Sequence, residues 1–262
     1  KHRRKTTKRQ VIKHMAENWF KYEDGAADSR GNVFLFPHAG SSASFFAPWK
    51  RNVPHECGFY PVQYPGRENR RRDAVSVTIR ELAERFVKDE GELLVQKPFV
   101  LFGHCMGALI CWEIALELQR NSMKMPCAVV VSSSASPAER AIKNADDMSR
   151  DDIVDYLCEM GFIDRSITRE KEFFEYYMYL MKIDMTLLRN YDYEGQREQK
   201  VNCPIYSFNG RDDDKKLLEQ SLEWEKFTKN GFEQKLFEGG HFYLSDDPQG
   251  VVASLEEMIF RG

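Results

Sequence analysis

Six short apolar runs recur along the chain, each bounded by turn residues: VFLF (33–36), FYPVQY (59–64), FVLF (99–102), AVVVSS (128–133), IYSF (205–208) and EQKLF (233–237). Runs this short, fenced by Gly, Pro, Asn and Ser, predict strands. Helical patterns lie between several of them. In TIRELAERFVKDEGELL the apolar positions Ile79, Leu82, Phe86 and Val87 share one helical face. MGALICWEIALELQ is apolar almost all round, as expected of a helix buried against a sheet. Strands alternating with helices predict an α/β fold with a mostly parallel central sheet flanked by helices.

One stretch breaks the alternation. From Ser136 to Gln199 the pattern is helical throughout. SRDDIVDYLCEMG opens with Ser149 as N-cap and Asp152 three residues on, and it closes at Gly161. KEFFEYYMYLMKIDMTLLRNY then predicts a helix packing Phe173, Phe174, Tyr176, Tyr177, Met178, Leu180 and Met181 densely together. We read residues 136–199 as a helical lid inserted between strands, residues 31–135 and 200–262 as the core, and residues 1–30 as a basic N-terminal arm and lead-in. No internal repeat or low-complexity tract is present.

Composition narrows the picture without changing it. The 262 residues suffice for a substantial core, and no run of about 18 apolar residues offers a membrane span. The basic, polar start has no apolar segment behind it, so no secretory signal is expected. Six scattered cysteines, with no CxxC pair, fit reduced thiols in a cytoplasm better than disulfides or a zinc site. A net charge of -3 gives no general reason to bind nucleic acid. KHRRKTTKRQ and the Arg67, Arg70, Arg71, Arg72 cluster in GRENRRRD read either as solvated charge or as docking sites for an acidic partner.

The chemistry concentrates at FGHCMGAL (102–109). A strand runs straight into Gly103-His104-Cys105-Met106-Gly107 and a helix follows at once, the context of a hydrolase nucleophile elbow. Its centre is Cys105, where serine usually stands; Cys57, Cys111, Cys127, Cys158 and Cys203 have no motif around them. A nucleophile here requires an acid and then a histidine in chain order. Of the histidines only His241, in EGGHFYL, lies beyond the helical stretch, so it is the expected base, while His38 and His104 read as structural or substrate-facing. Asp212, Asp213 and Asp214 follow the fifth predicted strand; Gly-x-x-Asp spacing from Gly210 selects Asp213, with Asp212 the second choice. Donors for a developing oxyanion are expected from the backbone N–H of Met106 and from the small-residue loop through Ala39 and Gly40.

Together these segments resemble the type II thioesterase family, the editing enzymes of polyketide and nonribosomal peptide assembly lines, across nearly the whole chain. FPHAGSSASFF resembles the family's Pro-x-Ala-Gly-Gly loop, with Ser41 at the second glycine; VQYPGRE (62–68) resembles its Tyr-Pro-Gly-Arg-Glu block, the most specific of the matches. FGHCMGAL matches its Gly-His-Ser-Met-Gly elbow except at the nucleophile, MKIDMTLLRNYDY resembles the end of its lid, and EGGHFYL its Gly-Gly-His-Phe block. The resemblance implies an α/β-hydrolase fold with a helical lid and hydrolysis of acyl thioesters from the phosphopantetheine arm of an acyl or peptidyl carrier protein. It places Cys105, Asp213 and His241 at the triad positions and Ala39 and Met106 at the oxyanion positions. His38 and Arg67 become candidate substrate or carrier contacts, and the lid's Met and aromatic side chains candidate walls of an acyl channel. No cofactor or metal and no nucleic-acid or membrane partner is implied, and a monomer is expected. A thiol, with a reference pKa near about 8.5, pairs readily with an imidazole as thiolate and imidazolium. The thioester it forms stays activated, which suits an acyltransferase or cyclase releasing the chain to an amine or hydroxyl as well as hydrolysis, and a non-catalytic carrier-binding protein is the third reading.

Overall fold

The computed structural model describes residues 19–23, 29–52, 56–138, 150–159, 161 and 163–261. The basic arm, His2, His14, His55 and Ser149 lie outside the described residues. All six apolar runs form strands: β1 (Asn32–Phe36), β2 (Gly58–Pro61), β3 (Phe99–His104), β4 (Ala128–Ser132), β5 (Ile205–Gly210) and β6 (Phe232–Phe237). They make one sheet in the order β2-β1-β3-β4-β5-β6, with every neighbouring pair parallel. The helices are α1 (Ala47–Asn52), α2 (Ile79–Leu94), α3 (Met106–Arg120), α4 (Arg150–Glu159), α5 (Lys171–Arg189), α6 (Tyr193–Gln196), α7 (Lys215–Leu222), α8 (Tyr243–Asp246) and α9 (Pro248–Arg261).

β1, β3 and β4 are buried along their whole length, which is why they read as unbroken apolar runs. Alternation along the strands sends Phe34, Phe36, Phe99 and Leu101 to one face, where they meet α2 and α3. Val33, Leu35, Val100 and Phe102 point to the other, against Val251, Val252 and Leu255 of α9. At the edge, β6 exposes Glu233 and Lys235, charges that discourage a further strand from pairing there. Thr78 caps α2 by accepting from the Glu81 N–H at 3.1 Å, and Ile79, Leu82, Phe86 and Val87 are all buried, as their spacing predicts.

Between β4 and β5 the described residues contain helices and turns and no strand. Gly161 follows α4 with φ +74°, the left-handed conformation that glycine adopts without strain. α5 buries one stripe: Phe174, Tyr177, Leu180, Met181, Asp184, Leu187 and Leu188. Phe173 departs from the dense packing expected of it. It is 56% exposed, because the helical pitch turns it off that stripe.

The strand order fixes where a site can form. From β1 the chain builds outward to β2 on one side and to β3 on the other, so the loops leaving β1 and β3 diverge and open a crevice at their carboxyl ends. Phe36 and Gly103 are register partners. The loop after Phe36 and the turn after His104 therefore emerge side by side.

Candidate active site

Cys105 sits in the turn between β3 and α3 with φ 54° and ψ -115°, a conformation that L-residues with a side chain rarely adopt. The neighbouring glycines explain how the turn is tolerated. A Cβ on Gly103 would lie 2.1 Å from the Gly107 carbonyl oxygen, and one on Gly107 would lie 2.2 Å from the Phe36 carbonyl oxygen. Backbone meets backbone at both positions, so nothing but glycine fits. Cys105 is anchored by its own N–H, which donates to the Ser132 carbonyl at 2.8 Å. It is partly exposed, while Cys57, Cys111 and Cys203 are buried.

The three side chains expected to act together are neighbours. β5 and β6 run in register to Gly210 and Phe237, so the loops that follow them meet, and His241 Nδ1 lies 3.2 Å from both carboxylate oxygens of Asp213. Both residues are buried. Burial opposes a charge on His241, but its hydrogen bonds to Asp213 and Cys105 and the negative charges they can carry outweigh it, pushing its pKa up to about 10. Burial likewise opposes ionisation of Asp213, yet His241, Ser133 and the Asp214 N–H hold its carboxyl below the usual range. The triple aspartate thus divides its work. Asp213 faces the histidine, Asp214 caps α7 by accepting from the Leu217 N–H at 2.9 Å, and Asp212 is exposed.

His104 and His38 back this group as neutral rings. His104 Nδ1 is 2.9 Å from Ser132 Oγ, which in turn is 2.7 Å from the Tyr243 hydroxyl. Burial foremost, then the neighbouring His241 and His38, keep the His104 pKa well below the histidine range. His38 packs against Phe45, His104 and Phe242, with ring centroids 4.8, 5.7 and 5.0 Å away. Burial, His241 and Arg67 lower its pKa to about 3.

The loop after β1 is held from above by α5. The Gly40 N–H donates to Asp184 Oδ2 at 2.7 Å, and Arg67 grips the same carboxylate with two nitrogens, at 2.6 and 3.1 Å, while also donating to the Ser41 carbonyl. Tyr177 and Met181 lie against Gly40 so closely that a Cβ there would come within 2.5 Å of the Met181 sulfur. Arg67 corrects an expectation. It is fully buried against Asp184 and offers a docking partner no surface. Arg70 is buried too, paired with Asp73 and lying 4.1 Å over the Trp19 ring, so only Arg71 and Arg72 of that cluster face solvent. Asp184 was not among the side chains singled out from the sequence. Its signal is a carboxylate set within the apolar stripe of α5, which a helix tolerates only where a partner waits.

Comparison with known proteins bears on this arrangement. The chain is 30% identical over 236 residues to the phenyloxazoline synthase MbtB of Mycobacterium tuberculosis; the match takes in 89% of the chain and 16% of that much longer protein. It is 28% identical to the gramicidin S biosynthesis protein GrsT of Aneurinibacillus migulanus, over 89% of the chain and 91% of GrsT. The solved type II thioesterase BorB of the borrelidin biosynthetic cluster superposes with a TM-score of 0.79 at 26% identity, covering 92% of this chain and 97% of BorB. The thioesterase domain family matches residues 32–259, which span the whole sheet, the Cys105 elbow, the Asp213–His241 pair and the Arg67–Asp184 pair. By fold the chain is an α/β-hydrolase, and it belongs to the thioesterase domain family.

Proposed function

We propose that Cys105, His241 and Asp213 form a catalytic triad that hydrolyses acyl thioesters from the phosphopantetheine arm of an acyl or peptidyl carrier protein, as an editing step in polyketide or nonribosomal peptide synthesis. The observation that carries this reading is the placement of His241, with Nδ1 3.2 Å from both Asp213 oxygens and the ring beside Cys105 in its strained turn; the raised pKa of the ring, about 10, supports it. Cys105 Sγ attacks the thioester carbonyl. The backbone N–H groups of Met106, at the start of α3, and of Ala39 receive the developing oxyanion. Asp184 supports the choice of Ala39, since it already engages the next N–H along, that of Gly40. The pantetheine thiolate departs with the proton of His241. Neutral His241 then takes a proton from water, whose oxygen attacks the acyl-cysteine, and the products are a carboxylic acid and two thiols, one of them Cys105 restored.

In this reading residues 136–199 are a lid and α5 is the wall over the acyl group, with Tyr177 and Met181 lying on the Gly40 loop. The protein works as a monomer in the cytoplasm; the six free thiols support a reducing compartment, and among the described residues no helix is long and apolar enough to cross a membrane. Cys105 itself favours one second reading, transfer of the acyl group to an amine or hydroxyl, because an acyl-cysteine remains an activated thioester.

The test is thiol release from an acyl-pantetheine thioester by the wild-type chain and by Cys105→Ala and His241→Ala. Hydrolysis through the triad predicts steady release by the wild type and a loss of about a thousandfold or more in each variant. Equal release by all three would remove the triad from the reaction. Release by the wild type that requires an added amine would select the transfer reading.

A further inference from the structure

Tyr177 is a polar side chain that the proposed mechanism leaves unused. It lies on the buried stripe of α5 at 9% exposure, and its hydroxyl, fully shielded, has no hydrogen-bond partner among the described residues. Its ring rests on Gly40, where a Cβ would come 2.9 and 3.1 Å from two ring carbons. Gly40 is the residue beside Ala39, the proposed oxyanion donor. The surroundings of the hydroxyl are equally telling. Asp184, Cys105 and Cys158 all lie near enough to act on it electrostatically, and with burial as the larger influence they raise its pKa. The phenol therefore stays protonated and can donate one hydrogen bond.

An aromatic ring needs no hydroxyl to fill an apolar gap, and phenylalanine would pack there without a stranded donor. Buried donors in folded proteins nearly always have an acceptor, so a stranded one beside a nucleophile calls for an acceptor that arrives with a ligand. The position identifies which acceptor. The Tyr177 ring lies on the Gly40 loop, next to the proposed oxyanion donor Ala39, and Cys105 is within electrostatic reach of its hydroxyl. An acyl group on Cys105 with its carbonyl oxygen at the proposed Met106 and Ala39 donors would put its first chain atoms near the Gly40 loop, on which the Tyr177 ring rests.

We propose that Tyr177 is a specificity residue that donates a hydrogen bond to an oxygen on the acyl chain near the thioester carbonyl, so that the preferred substrates are acyl thioesters oxygenated at the third carbon. This rests on the thioesterase reading of the same site. A donor built for such an oxygen discriminates against chains that lack it, because the donor is then left buried and unpaired.

The experiment compares 3-oxobutyryl- and butyryl-pantetheine thioesters, equal in length, with the wild-type chain and Tyr177→Phe. The quantity read is the ratio of kcat/KM values for the two substrates, which cancels any general loss from altered packing. A ratio that falls about tenfold or more in Tyr177→Phe is the expected result. An unchanged ratio overturns the proposal, whether both activities stand or fall together. Calorimetric binding of the two corresponding acyl-pantetheine amides, which cannot be hydrolysed, answers without turnover. Tighter binding of the 3-oxobutyryl amide that is lost in Tyr177→Phe supports the proposal even if neither thioester is cleaved, an outcome that would sink the hydrolase reading alone. Equal affinities of the two amides, or no binding of either, overturn it.

Discussion

At the scale of single residues, the proposed chemistry turns on the proton of His241. An imidazole with a carboxylate on one side and a thiol on the other holds its proton far above the ordinary histidine range, here to about 10. Asp213 supplies the first hydrogen bond in that balance, so Asp213→Asn removes both a charge and the best acceptor. The His241 titration, followed by NMR of the ring protons, is expected near 10 in the wild type and at least about one unit lower in Asp213→Asn. The same midpoint in both proteins would show that Asp213 is not the group that holds the ring. At this scale the sequence was most readable where spacing and chain order agree. Gly103 and Gly107 bracket Cys105, and the backbone atoms each would strike confirm why they are glycines. Spacing alone singles out Asp213 over Asp212; of the two, Asp213 faces the His241 ring and Asp212 is exposed.

Between elements, the contact that matters most is the one that ties α5 to the loop after β1. Asp184 is a buried carboxylate serving Arg67 and the Gly40 N–H at once. Asp184→Ala strands the Arg67 guanidinium in the interior, for which a loss of about 3–5 kcal/mol in unfolding free energy is expected. The apolar pair Arg67→Met with Asp184→Leu is expected to recover most of that stability, since it leaves no unpaired charge. Thiol release should not recover with it, because the Gly40 loop still lacks the acceptor that holds it. Full recovery of both, measured by urea unfolding and by turnover, would reduce the pair to a matter of stability. The elbow makes a second demand at this scale. Gly107→Ala places a methyl 2.2 Å from the Phe36 carbonyl, so β1 and α3 must separate; a destabilisation of about 1–3 kcal/mol, read as a lower urea midpoint, is expected. Strands and long helices were legible because buried parallel strands are unbroken apolar runs and amphipathic helices keep their period. Asp184 and the burial of Arg67 were not, because two charges 117 residues apart reveal that they are partners only once α5 folds over the loop. The Arg67–Arg72 run looked like a solvated patch for the same reason: charge is local in sequence, whereas its partners are not.

Over the whole molecule, three buried histidines are expected to give stability a maximum near neutral pH. His38 titrates at about 3 in the folded protein against 6.5 for the free group, so it leaves stability fully present above pH 6.5 and withdraws it as pH falls from 6.5 toward 3. His104, held well below the histidine range, acts in the same direction. His241 has the opposite sign. Its folded pKa is raised, so its contribution is complete below pH 6.5 and is lost as pH rises toward 10. Each such group imposes a slope of about 1.4 kcal/mol per pH unit within its window. Urea unfolding across pH 4 to 10 is expected to show a dome, with an acid limb that becomes shallower in His38→Gln; a flat profile would contradict the burial of these rings. The parallel sheet, its helical insertion and the convergence of Cys105, Asp213 and His241 at one end of it all serve a single claim, that the thiol of Cys105 carries the acyl group. The most direct measurement is the intact mass of the protein during turnover of an acyl-pantetheine thioester, with peptide mapping and Cys105→Ala as control. The account predicts an increment of one acyl group, located on Cys105, that decays in water as carboxylic acid appears and never forms in the control. An acyl increment on another residue, or turnover that proceeds in Cys105→Ala, would contradict it.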